Sequence, residues 1–267
     1  MTEITTCLPL KPSVSDRTVH TNLSSSCLRA ACPDLAFRCD GDAANAHAIV
    51  ILAHGAGAGM DSDFLTALSK ALAARGLFVV SFEFAYMVKR RLSGNKRPPA
   101  PKPILLANWA AVLECTVQCS SLPVVVAGKS MGGRIGSELL ASASLSPLVR
   151  SRVAGCMCYG YPFHPPAKQE QLRTEHLAES RWPEQVPLKI VQGTRDPFGK
   201  PDEVANYSLA KEISIAWLES GDHDFVPLRR SGFEQRDLIQ RAADLSIAFI
   251  EAHLCDGTLT LPRTLMR

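Results

Sequence analysis

Residues 122–133, LPVVVAGKSMGG, decide how the rest of this chain is read. The apolar run 122–127 has strand length and β-branched content. It passes through Gly128-Lys129-Ser130-Met131-Gly132 into residues 131–143, whose apolar spacing is helical. Gly-x-Ser-x-Gly at a strand-to-helix turn puts a serine on a sharp, strained bend, and any bulk two residues to either side would strike the neighbouring strand or helix. Gly128-Lys129-Ser130 also ends like a phosphate-binding loop. That motif requires glycine at position 123, where the chain has Pro123.

Working outward, further apolar runs of strand length occupy 48–53, 77–82, 153–159, 188–192 and 213–218. Near-continuous apolar strands imply a sheet covered on both faces, hence parallel pairing. Helical patterns fall between them at 61–75, 104–119, 203–211 and 233–254. The alternation predicts an α/β fold, a doubly wound and mostly parallel sheet flanked by helices. The folded domain is expected over 46–256. Residues 1–45 are expected to form an arm, poorly ordered or supplying edge strands near Cys27 to Cys39, and 257–267 a tail. Residues 84–103 hold six Lys and Arg, four prolines and no acid, and are expected to form a surface loop.

Composition narrows the function classes. The chain has 267 residues, 46% hydrophobic and 21% charged, ordinary for a globular protein. A net charge of +3 lacks the basic stripe of a nucleic-acid binder. No run reaches a membrane span and no signal-peptide core is present near the start. Nine cysteines, an odd and scattered number, argue against a disulfide framework and for the cytoplasm. The spacings of Cys115 with Cys119 and of Cys156 with Cys158 match no zinc motif, so neither a metal nor a cofactor is expected. The sequence carries no signal for an oligomeric state.

A nucleophilic serine needs a base, and the base needs an orienting carboxylate. The strand 188–192 is followed by Gly193-Thr194-Arg195-Asp196-Pro197, and the strand 213–218 by Gly221-Asp222-His223-Asp224. Ser130, Asp196 and His223 therefore lie past the carboxyl ends of three strands, where a doubly wound sheet gathers its ligand-binding loops. Asp222 and Asp224 flank His223, but sequence neighbours point elsewhere. Two backbone N–H groups should hold the oxyanion. The amide of Met131 follows the nucleophile. The second comes from His54-Gly55-Ala56-Gly57-Ala58-Gly59, with Ala56 preferred and Gly55 next. His54 orders that loop. With Tyr86, and with His164 in Tyr159-Gly160-Tyr161-Pro162-Phe163-His164, it is a candidate for the substrate pocket. Residues 163–187 are expected to supply a short cap lined by Leu177 and Trp182, with no large lid.

His54-Gly55-Ala56-Gly57, Gly128-Lys129-Ser130-Met131-Gly132-Gly133-Arg134, Arg195-Asp196-Pro197-Phe198 and Gly221-Asp222-His223 together resemble the α/β-hydrolase superfamily. The likeness covers roughly residues 45 to 254 and is nearest its dienelactone-hydrolase-like branch, among small bacterial hydrolases with few assigned substrates. The resemblance implies the same triad, with Ser130 as nucleophile, Asp196 as acid and His223 as base. Dienelactone hydrolases proper carry cysteine where this chain has Ser130, so lactone substrates are not implied. The expected function is a serine hydrolase acting on carboxylic esters or related small acyl compounds through an acyl-enzyme. The alternative, from a different class, is the same scaffold used as a binding module, with the basic stretch 89–102 as its contact surface.

Overall fold

A computed structural model describes residues 23–255. Seven strands form one sheet: β1 (Ala36–Asp40), β2 (Ala48–Ala53), β3 (Leu77–Glu83), β4 (Val124–Lys129), β5 (Val153–Tyr159), β6 (Leu188–Gly193) and β7 (Ile213–Leu218). Eight helices accompany them: α1 (Ser25–Ala31), α2 (Asp63–Ala73), α3 (Ala85–Ser93), α4 (Lys102–Cys119), α5 (Met131–Ala141), α6 (Pro147–Arg152), α7 (Pro201–Val204) and α8 (Gln235–Cys255). The sheet order is β1-β3-β2-β4-β5-β6-β7. Only β1 runs antiparallel, against β3; every other pairing is parallel. This is the mostly parallel, helix-flanked sheet that the alternating pattern predicts.

Strand alternation divides the core between two faces. Ile49, Ile51, Val80, Phe82, Val124, Val126, Cys156 and Ile190 meet Trp109 of α4 and Ile135 and Leu139 of α5. Val50, Leu52, Val79, Val125, Met157, Tyr159 and Val191 meet Leu65, Leu68 and Leu72 of α2 and Leu238 and Ala242 of α8. β2, β3 and β4 are buried along their whole lengths, which is why their sequences show no polar alternation.

The structure departs from the sequence expectation in five places. Near Cys27 to Cys39 β1 is the expected edge strand, but Ser25–Ala31 is a helix, capped by the Ser24 hydroxyl accepting from the Cys27 amide at 3.2 Å and anchored by buried Leu28. The basic segment 84–103 is not all loop. Its first half is α3, which buries Tyr86 and Met87 and ends at Gly94 with φ 69°. Helix α6 was not expected; Ser146 caps it and Pro147 opens it. The predicted helix over 203–211 shrinks to the single turn of α7. Leu177 and Trp182 do not line a cap. Both are buried in the core, and the Leu177 carbonyl accepts from the Ala210 amide at 2.9 Å, folding 163–187 down against the sheet. Among the described residues nothing forms a lid, and no helix is long and apolar enough to cross a membrane.

Packing also sets where β4 hands over to α5. The buried Trp109 indole donates to the Gly132 carbonyl at 3.0 Å, and Gly136 lets α5 settle on Val126 and the Trp109 ring. A Cβ at Gly136 would stand 2.8 Å from a Val126 methyl. The helix that follows the serine is thereby pressed onto both the sheet and α4.

Candidate active site

Between β4 and α5 the chain turns at Ser130, whose φ of 50° and ψ of −117° are strained for a residue with a side chain. The turn is held from outside. The Ser130 amide donates to the Tyr159 carbonyl of β5 at 2.9 Å, and its carbonyl accepts from the Arg134 amide of α5 at 3.0 Å. The neighbouring glycines leave no room for side chains. A Cβ on Gly128 would collide with the Gly133 nitrogen, and one on Gly132 would lie 2.5 Å from the His54 carbonyl. The bend therefore projects the hydroxyl above the carboxyl edge of the sheet, at the N-terminus of α5.

The loops after β6 and β7 bring the other two residues to it. Gly193 lets them lie against each other: a Cβ there would meet the Asp222 carbonyl at 2.5 Å. The Arg195 amide donates to the Gly221 carbonyl at 2.9 Å, which fixes their register. His223 Nε2 lies 2.9 Å from Ser130 Oγ, and its Nδ1 lies 2.8 Å from Asp196 Oδ2. A carboxylate only accepts, so Nδ1 carries the proton and Nε2 offers its lone pair to the serine O–H. The Phe198 ring covers the imidazole at a centroid distance of 4.3 Å.

Asp196 is fully buried, and each of its oxygens is occupied. Oδ2 also accepts from Gln192 Nε2 at 2.9 Å, and Oδ1 from the Phe198 amide at 2.9 Å. Gln192 in turn is clamped by Tyr161, whose amide donates to Gln192 Oε1 at 2.6 Å and whose carbonyl accepts from Nε2 at 3.1 Å. A buried carboxylate that keeps its charge requires such donors. The flanking acids do other work. Asp222 Oδ1 accepts from the Asp224 and Val226 amides, shaping the His223 turn, and Asp224 pairs with Lys129 Nζ at 3.1 Å.

The loop after β2 crosses the serine. A Cβ on Gly55 would lie 3.6 Å from Ser130 Cβ. The carbonyl of the Gly55–Ala56 peptide accepts from His54 Nδ1 at 2.6 Å and from the Tyr86 hydroxyl at 3.4 Å. In a trans peptide the N–H points opposite to the C=O, so anchoring this carbonyl turns the Ala56 amide the other way. Tyr86 also donates to the Ala56 carbonyl at 3.2 Å, and Arg90 to the Gly57 carbonyl at 3.2 Å. Arg91 pairs with buried Glu83 and with Asp61 at 2.7 Å, while Glu83 accepts from the Met60 amide at 3.2 Å. Gly59 makes space for that ion-pair cluster. Helix α3, expected as loop, is thus the brace of the segment over the serine.

The three candidate pocket residues are each engaged by partners within the chain. His54 is fully buried, its Nε2 accepting from the Phe84 amide at 3.1 Å, and burial lowers its pKa from the ordinary histidine value. With both ring nitrogens engaged it has no free edge for substrate. Tyr86 spends its hydroxyl on the loop carbonyls, and burial pushes its pKa up to about 12. His164 is also buried, with Nδ1 2.9 Å from the Pro165 carbonyl and Nε2 3.2 Å from Glu203 Oε2. Gln192, Lys129 and Arg91 join the site only in the folded structure. Gln192 had a signal, a single amide closing an apolar strand; Lys129 and Arg91 had none beyond their neighbours.

Residues 46–251 match the family described as an alpha/beta hydrolase domain. Est1E from Butyrivibrio proteoclasticus, in a structure with ferulic acid bound, aligns at a TM-score of 0.61 and 13% identity, covering 82% of this chain and 96% of that one. Dienelactone hydrolase from Anabaena variabilis aligns at 0.56 and 16% identity over 80% of this chain and 91% of that one. An α/β serine hydrolase without lid from Xanthomonas campestris aligns at 0.55 and 15% identity over 86% and 91%.

Lys129 gives the site a pH signature. Its buried ammonium is desolvated, which holds its pKa below the ordinary lysine value of 10.5 despite Asp224. Between the folded and unfolded values the unfolded chain binds more protons, so this group adds stability as pH rises through that window. Chemical denaturation of wild type and Lys129→Met should show wild type gaining on the variant as pH rises toward the ordinary lysine value of 10.5. Parallel curves would contradict the burial of a charged lysine.

Proposed function

The chain belongs to the α/β-hydrolase domain family, and from that premise we propose that it is a serine hydrolase cleaving carboxylic esters or related small acyl compounds. The observation that carries this reading is the Ser130–His223–Asp196 relay, with its two contacts of 2.9 and 2.8 Å. His223 Nε2 takes the Ser130 proton as Oγ attacks the acyl carbon, and Asp196 stabilises the imidazolium without accepting its proton. The oxyanion is held by the amides of Met131 and Ala56, with that of Gly55 adjacent. Collapse expels the alcohol or amine, which takes the proton from His223. Water, deprotonated by His223, then releases the acid and restores Ser130.

Support comes from how the polar groups are spent. His54, Tyr86, Arg90 and Arg91 act on the loop behind the proposed oxyanion site, and Gln192 on the proposed acid. The binding-module alternative loses half of the basic side chains of its contact surface, since Arg90, Arg91 and Lys102 are engaged by Gly57, Asp61, Glu83 and Glu138 of the same chain. The free thiols fit a reducing, cytoplasmic setting.

Hydrolysis of short-chain nitrophenyl esters tests the proposal. Ser130→Ala should lower kcat/KM roughly 10⁴-fold, because triad members act as a unit. A variant within tenfold of wild type would sink it. Tyr86→Phe keeps the ring and removes the hydroxyl that holds the Gly55 and Ala56 carbonyls. It should lower kcat about tenfold with KM little changed, less than the loss of a whole oxyanion donor. An unchanged kcat would leave Tyr86 a packing residue only.

A further inference from the structure

Three thiols meet on the far side of the molecule's chemistry, where α1 packs on α4. Cys115 and Cys119 are four residues apart on α4 and so share one face of the helix. Cys27, on α1, closes the group: the three sulfurs all lie within 4.8 Å of one another. Cys27 Sγ and Cys119 Sγ are 3.1 Å apart. Cys115 is buried, while Cys27 and Cys119 are half-buried, so the cluster opens to solvent on one side. None of these residues contributes to the triad or to the loop over Ser130.

We propose that Cys27, Cys115 and Cys119 form a binding site for a soft d¹⁰ metal ion, with Zn²⁺ as the ion to test. A tetrahedral zinc holds thiolates at about 2.3 Å, which places them roughly 3.8 Å apart. The observed grouping reaches that arrangement by side-chain shifts of under about an ångström. Paired ligands at i and i+4 on a helix, completed by a third from another element, are an established way of building such a site. A disulfide between Cys27 and Cys119 would use two of the thiols and leave Cys115 without a role. A metal uses all three, and the fourth position falls to water on the open side. Soft sulfur ligands select zinc or copper(I) over magnesium or calcium.

Thiols bind a metal ion as thiolates, and this sets the pH dependence. Each ligand exchanges its S–H proton for an S–metal bond, so up to three protons leave per ion bound and affinity rises with pH. The sequence hid the site because its third ligand lies 92 positions from Cys119. Bound metal would clamp α1 to α4 and add to the stability of the fold.

The test uses the full chain, reduced and stripped of metal, titrated with Zn²⁺ against a chromophoric chelator. Cd²⁺ is the second probe, read by its thiolate charge-transfer absorption. Wild type should take up one Zn²⁺ per chain with release of protons, and Cd²⁺ should give the thiolate band. Cys115→Ser and, as a half-buried alternative that spares the core, Cys27→Ser should each weaken Zn²⁺ binding by more than about 100-fold, beyond what outer-shell changes cost. Cys39→Ser should bind like wild type. No uptake by the reduced protein would overturn the proposal. So would uptake undiminished in both ligand variants, or a Cys27–Cys119 disulfide whose reduction restores no metal binding.

Discussion

Ser130 occupies a backbone conformation that side-chain-bearing residues avoid, and much of the fold holds it there. A strained residue of this kind costs on the order of 1–3 kcal/mol and persists only when its surroundings over-determine it. Here β5 accepts the serine amide, Trp109 takes hold of the Gly132 carbonyl, and α5 is pressed onto Val126. Three glycines at 128, 132 and 133 give up side chains so that β4, the turn and the His54 backbone can touch. The buried strands on both sides supply the apolar area that offsets this cost.

From that point the polar residues form two chains of support that converge on the serine. One runs from Tyr161 through Gln192 to Asp196 and His223, fixing the imidazole in the tautomer that faces Ser130. The other runs from α3 and Glu83 into the glycine loop after β2, fixing its carbonyls so that the amide of Ala56 is free to point the opposite way. A buried polar group is costly unless partnered. These partners are therefore what allow charge and hydrogen-bonding capacity to sit in an otherwise apolar sheet edge.

The apolar strands and the order Ser130, Asp196, His223 were legible because periodicity and motif spacing are local in sequence. Where the expectation failed, the deciding contact was distant or the local pattern was masked. Helix α3 is rich in Lys and Arg, so its buried face reduces to Tyr86 and Met87 and its helical period is hard to see. Leu177 and Trp182 read as the lining of a cap because their burial in the core, and the bond from the Ala210 amide to the Leu177 carbonyl, come only with the tertiary fold. His54 and His164 are pocket candidates from their places in loops at strand ends, His54 being read first as ordering its loop. The structure instead spends both nitrogens of each ring on backbone or carboxylate partners. Cys27 and Cys119 could be brought together only by the docking of α1 on α4.

The central claim is that Ser130 is an activated nucleophile, and covalent labelling with a fluorophosphonate, followed by mass measurement and mapping of the modified peptide, tests it most directly. One adduct per chain is expected, on Ser130, absent in Ser130→Ala and strongly slowed in His223→Ala. A folded wild-type protein that takes no label, or takes it on another residue, would contradict it.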